Sequence, residues 1–156
     1  MEITNTVVNE MKVAEVELTY KSKVKVSERP RISSSKEAAA LLVKNWDENK
    51  IDFCEQFKIL LLNRNNRVLG IVEISSGGVT GTVADPKMIF VAAIKANACN
   101  IIISHNHPSG SLKPSQADEK LTQKIKHAGE LLDIRVFDHI IITSEGYYSF
   151  ADEGLL

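Results

Sequence analysis

Two histidines close an apolar run in "IIISHNHPSGSLKPSQAD", residues 101–118, and their spacing is the first sign of chemistry in this chain. Alternate side chains of a strand share a face, so His105 and His107 project together while Asn106 points away. Their Cα atoms would lie roughly 6.5–7 Å apart, within reach of a single ion. Pro108 cannot continue a sheet interior, which puts the pair at the strand's exit, where side chains meet a cleft. The loop "SGSLKP" then leads into a helix whose first turn carries Asp118. Two imidazoles and a carboxylate form a donor set suited to Zn2+. Three protein ligands leave the fourth position open, as in catalytic rather than structural zinc sites. Plainer readings stand beside this one. A histidine at a strand end can be a simple polar terminator, and Ser115 with Asp118 three residues later also reads as a helix-capping arrangement.

A hydrolytic zinc site needs a group that takes a proton from water and returns it to the leaving group. Glu73 in "LGIVEIS" is the expected base, an acid in an apolar strand just before a glycine-rich bend. Burying a carboxylate costs free energy unless something compensates it. The alternative is a Glu73 that faces solvent on a half-buried strand. His127 is expected on a helix surface, and His139 in "FDHIII" reads as a structural histidine at or within a strand.

The elements that must position these residues alternate in type. "ISSSKEAAALLVKNW" reads as a capped helix, and "FCEQFKILLLNRNNRVLGIVEIS" as two strands joined by a turn at Arg64-Asn65-Asn66. "SGGVTGTV" is a glycine-rich connector without the spacing of a phosphate loop. "DPKMIFVAAIKANA" is a helix with Asp85 at its N-cap and Pro86 at its first position. "NIIIS" is a buried strand, and "SQADEKLTQKIKHAGELL" is a third helix that ends between Gly129 and Asp133. "IRVFDHIIIT" is a further buried strand, and "GYYSFADEG" a last short one. The pattern indicates an α/β domain, a mixed sheet with helices on both faces. Residues 1–12 are expected to be loose or an edge element. "VAEVELTYKSKVKV" alternates apolar and polar residues like a half-exposed strand or hairpin. Its Lys21, Lys23 and Lys25 either deter edge-to-edge pairing or, with Arg29 and Arg31, form a short basic stripe that touches phosphates.

Composition narrows the class. A chain of 156 residues, 44% hydrophobic and 25% charged, is expected to form one globular domain, here 32–156 behind a lead-in segment at 1–31. A net charge of -1 gives the whole molecule no general attraction to nucleic acid or acidic membranes. No apolar stretch approaches the ~18 residues of a membrane span, and the start does not read as a signal peptide. Cys54 and Cys99, without CxxC spacing, read as reduced thiols. A cytoplasmic location is expected.

His105-Asn106-His107-Pro108, six residues, then Ser115-x-x-Asp118, with a glutamate upstream, resembles the metal motif of the JAMM (MPN+) metalloprotease superfamily. "HNHPSG", "HAGELLDIRVFDHIIIT" and "YYSFADEG" resemble its bacterial RadC-like branch, and the likeness runs from about residue 32 to the end. "ELTYKSKVKVSERPRI" is also similar to the lead-in of short RadC-like proteins. The resemblance implies a cytidine-deaminase-like three-layer α/β/α fold and one Zn2+ held by His105, His107 and Asp118. It implies Glu73 as general base, and Ser115 as a hydrogen-bond partner of the water or the developing oxyanion. The branch's motif includes the Asp138-His139 pair, which opens a supporting or cleft role for His139. It is not counted as a ligand, because the three-ligand set is already full. Cytidine deaminases need an HxE signature and a later PCxxC; this chain contains no CxxC, so deamination is excluded.

The leading expectation is a zinc-dependent hydrolase of amide, peptide or isopeptide bonds, acting on an unidentified substrate through metal-activated water. The alternative is a DNA-repair or recombination accessory protein with a zinc site and no peptidase activity, weakly associated with DNA through the Lys21, Lys23, Lys25, Arg29 and Arg31 stripe. Longer RadC proteins carry an N-terminal helix-hairpin-helix region for which this chain leaves no room, so the DNA role is expected to be the weaker. A third reading is an interaction module whose zinc only holds the 108–114 loop. Substrate and oligomeric state stay open, and specificity is expected from the "SGGVTGTV" and "SGSLKP" loops.

Overall fold

The apolar runs pair into one sheet. The structure is a computed structural model that describes residues 12–78 and 83–156. In it β1 (Gln56–Leu62), β2 (Val68–Ser76), β3 (Asn100–Asn106), β4 (Arg135–Ile142) and β5 (Tyr147–Ser149) lie side by side in the order β2-β1-β3-β4-β5. β3 and β4 run parallel and the other neighbours antiparallel, giving the mixed sheet expected. The inner strands are apolar on both faces because both faces are covered. Side chains alternate along each strand, so Ile59, Leu61, Ile101 and Ile103 meet α2 (Pro86–Lys95) and α3 (Gln116–Leu131) through Ile89, Phe90 and Ile125. Their neighbours Leu60, Leu62, Ile102, Ile140 and Ile142 meet α1 (Ser35–Lys44) and Trp46 on the opposite face. Three layers result.

Short-range signals place the joints. The Ser34 side chain accepts a hydrogen bond from the Glu37 amide and opens α1. Asp85 does the same for the Lys87 amide ahead of Pro86 in α2. The β1–β2 turn passes through Asn66 at φ 59°, the left-handed region that asparagine tolerates. Gly129, inside α3, is required by close approach: a Cβ there would collide with the Ile134 carbonyl oxygen. That oxygen is backbone and cannot swing away, so Gly129→Ala is expected to cost about 1–3 kcal/mol through overpacking. A lowered urea midpoint is the readout; an unchanged midpoint would show that the α3–β4 connection yields freely.

One expected element does not form. Residues 12–25 contain no strand, and every residue from 12 to 28 is exposed. Alternation specifies a strand only when one face has something to bury, and Val13, Val16 and Leu18 have no surface to cover. The segment is tied to the sheet instead by the Tyr20 hydroxyl, which donates to Leu69 O of β2 at 2.6 Å. A 3-10 turn at Val26–Glu28 and a bridge between Arg31 and Arg67 complete the approach to α1. The expectation for residues 1–11 and part of the glycine-rich connector, residues 79–82, lie outside the described residues. No described helix is long and apolar enough to cross a membrane.

Candidate metal centre

β3 divides its last residues between the two faces as a strand must. Asn106 turns toward α1, where its Oδ1 accepts from the Gln56 amide at 2.7 Å. Its Nδ2 donates to Ile51 O and Cys54 O at 2.8 and 2.9 Å. The side chain between the histidines thus anchors the loop that leads into β1. His105 and His107 turn to the α3 face, and His105 stacks parallel to Phe57, its register partner on β1, at 6.1 Å between centroids.

α3 supplies the third group. Ser115 caps the helix: its Oγ accepts from the Asp118 amide at 3.1 Å, and its own amide donates to Asp118 Oδ2 at 2.7 Å. The capping box orients the Asp118 carboxylate toward the end of β3. Asp118 Oδ1 lies 3.3 Å from His105 Nε2 and Oδ2 lies 3.7 Å from His107 Nε2, with the two Nε2 atoms 2.9 Å apart. The capping reading and the ligand reading are therefore the same geometry used twice. One potential ligand atom from each residue falls within 4.8 Å of the others.

The donor set fits a cation. His107 Nδ1 sits 2.7 Å from Ser111 O; a carbonyl only accepts, so Nδ1 carries the hydrogen and Nε2 presents a lone pair. That lone pair and the Asp118 carboxylate face the same point as His105 Nε2. Electron-pair donors so placed repel unless positive charge lies among them, and two imidazoles with one carboxylate are a zinc-type set. Burial opposes the charge on Asp118, yet the His105 and His107 rings and the Ser115 amide hold its carboxyl well below the usual carboxylate range. The Asp118 carboxylate in turn raises the proton affinity of His107 against burial, helped by Ser111 O and by the charge of Glu55.

Glu73, the expected base, lies beside Gln56 and Lys58 rather than among the histidines. Glu73 is exposed on edge strand β2, opposite Lys58 in the register, and its Oε1 accepts from Gln56 Nε2 at 3.1 Å. Gln56 and Lys58 are even-numbered neighbours of Leu60 and Leu62 and point with them toward α1, away from the histidines. Burial pulls the Lys58 ammonium below its ordinary value, and Glu73 opposes that shift. Glu73 therefore belongs to a polar pair on the far face. A second acid, Glu55, is half-buried just before β1. Phe57 pairs with His105 in antiparallel register; Glu55 lies two residues before Phe57, and His107 two residues after His105. The Glu55 charge is felt at His107. The signal for Glu55 in the sequence was its place at the mouth of "QFKILLL", but only the pairing of β1 with β3 identifies it.

His127 is exposed, as expected. His139 lies behind His105 and not among the ligands, with its Nε2 2.8 Å from His105 Nδ1 and its Nδ1 2.6 Å from Thr122 Oγ1. Asp138 beside it faces the other way. Its carboxylate accepts from the His139 amide, the Ser149 hydroxyl and the Ala151 amide at 2.7, 2.5 and 3.0 Å. These bonds hold the 149–151 segment so that Phe150 stacks on His139 at 4.5 Å.

Residues 32–155 match the family described as RadC-like JAB domain. Among curated proteins, the chain is similar to a UPF0758 protein of Flavobacterium johnsoniae, 48% identical over 101 residues that cover 65% of this chain and 44% of that protein. A UPF0758 protein of Syntrophotalea carbinolica is 44% identical over 102 residues, 65% of this chain and 45% of its own length. That of Aromatoleum aromaticum is 44% identical over 119 residues, covering 74% and 53%. The chain spans about half the length of the curated relatives it matches.

Proposed function

The chain belongs to the RadC-like JAB domain family, and on that premise we propose that it is a zinc-dependent hydrolase of amide bonds, in a peptide or an isopeptide. The observation that supports this reading is the His105–His107–Asp118 cluster. Its donors converge from β3 and α3, and the His107 and Asp118 side chains each keep 15% of their surface exposed, so the cluster opens to solvent. His105, His107 and Asp118 would hold the ion. Bound zinc supplies Lewis acidity there, lowering the pKa of water toward about 7 and polarising a carbonyl oxygen.

The chain's own groups do the rest. Glu55, whose charge acts on His107, takes the proton from the attacking water and later delivers it to the departing amine nitrogen. The Ser115 oxygen accepts the Asp118 amide, which leaves the hydroxyl hydrogen for the carbonyl oxygen as negative charge develops on it. Phe57 stacked on His105 shields the inner side of the cluster from water. The loop at residues 108–114 borders the mouth, and specificity falls to it and to the connector after β2.

Zinc-loaded protein offered a panel of peptide and lysine-isopeptide amides, read by mass spectrometry, tests the proposal. Cleavage that leaves a new amine, stops on chelation and returns with zinc is the expected result. A zinc-replete chain that leaves the whole panel intact would count against amide hydrolysis.

A further inference from the structure

Behind His105 the hydrogen bonds form one chain whose direction follows from proton counting. The Thr122 hydroxyl lies 2.6 Å from Asp118 O. A carbonyl only accepts, so the hydroxyl spends its single hydrogen there. His139 Nδ1, 2.6 Å from the same hydroxyl oxygen, must then be the donor in that contact. His139 is fully buried, with Phe150 stacked on it, and its two ring nitrogens meet Thr122 and His105 rather than a carboxylate. A second proton on that ring would be a buried charge with no counter-ion bonded to either nitrogen, which costs too much to persist. The one hydrogen sits on Nδ1, and Nε2 accepts. The group facing Nε2 is His105 Nδ1 at 2.8 Å, which must therefore be its donor.

We propose that Thr122 and His139 are positioning residues that set the His105 tautomer, placing its hydrogen on Nδ1 and its lone pair on Nε2, the atom aimed at His107 and Asp118. Outer partners of this kind fix ring orientation and ligand basicity in metal sites. The chain closes on itself, because Thr122 lies one turn beyond Asp118 on α3 and ends its hydrogen bond on the carbonyl of that residue. One helical turn thus delivers a carboxylate directly and orients an imidazole through His139. His107 takes its tautomer separately, from Ser111 O. The proposal rests on the zinc reading for its consequence only; the tautomer is a property of the metal-free chain.

Nitrogen-resolved NMR of the histidine rings in metal-free protein, with His105 singly protonated, is the first readout. The wild type is expected to carry hydrogen on His105 Nδ1. Thr122→Val removes the hydroxyl, frees the His139 hydrogen to change sides, and leaves His105 in a mixture of tautomers. Zinc affinity by competition with a chromophoric chelator should fall about 10–100-fold. Thr122→Ser, which keeps a hydroxyl, should restore both readouts, and a role limited to packing would not give that pattern. Hydrogen on His105 Nε2 in the wild type would overturn the proposal, as would a Thr122→Val protein with wild-type tautomer and affinity. A wild type with the expected tautomer that binds no zinc would sink the zinc reading and leave the relay standing.

Discussion

Wild-type protein should hold about one zinc ion per chain, and the His107→Ala variant should lose it on passage through a mild chelator. His107 caps no helix, and beyond the site its ring holds only the Ser111 carbonyl of the next loop, so its removal tests ligation with little effect on the fold. Disrupting groups that merely support a ligand costs about 10–100-fold in affinity, so removing a ligand itself should cost more than about 100-fold. Asp118→Ala should lose the metal as well, but that change also removes half of the capping box that opens α3, worth about 1 kcal/mol. The two variants therefore separate in thermal unfolding. Without metal, His107→Ala should unfold near the wild type, whereas Asp118→Ala should unfold earlier. Added zinc at about 100 times its dissociation constant should stabilise the wild type by about 2.7 kcal/mol through linkage and neither variant appreciably. Wild-type zinc content in His107→Ala would remove His107 from the ligand set, and with it the reading of this cluster as a three-ligand site.

Local patterns carried most of this architecture. The parity of His105 and His107 needs only the strand period, and the Ser115–Asp118 spacing needs only a helix start; both hold in three dimensions. Caps at Ser34 and Asp85 and the turn at Asn66 are equally short-range. What was not legible depends on which strands become neighbours. Glu73 and Glu55 both stand beside apolar strands, and nothing local says that β2 lies at the edge while β1 pairs with the strand of the histidines. Residues 12–25 failed for the related reason that alternation carries no information about a partner surface. His139 is the most instructive case. A buried histidine in an apolar strand looks structural from its neighbours in sequence, and only Thr122 on one side and His105 on the other show what its two nitrogens do.

The competing glutamates give the second large effect. Glu55→Gln should bind zinc like the wild type and turn over an amide substrate about 10²–10⁴-fold more slowly, the usual contribution of a positioned acid–base group. Gln keeps the shape of the side chain and its power to hydrogen-bond but cannot take up a proton from water, so retained metal with lost turnover isolates the proton-transfer role. Glu73→Gln should turn over at the wild-type rate, because Glu73 shares the far face of the sheet with Gln56 and Lys58. The register is what decides between them. His105 stands opposite Phe57, Glu55 and His107 each lie two residues from that pair, and the Glu55 charge acts on His107. Gly77 N donates to Glu55 O at 2.8 Å, which holds that backbone in place at the end of the sheet. If Glu73→Gln were the inactive variant and Glu55→Gln the active one, proton transfer would have to pass through the sheet from its opposite face. No side-chain rotation can do that, and the β1–β2 register itself would have to be wrong.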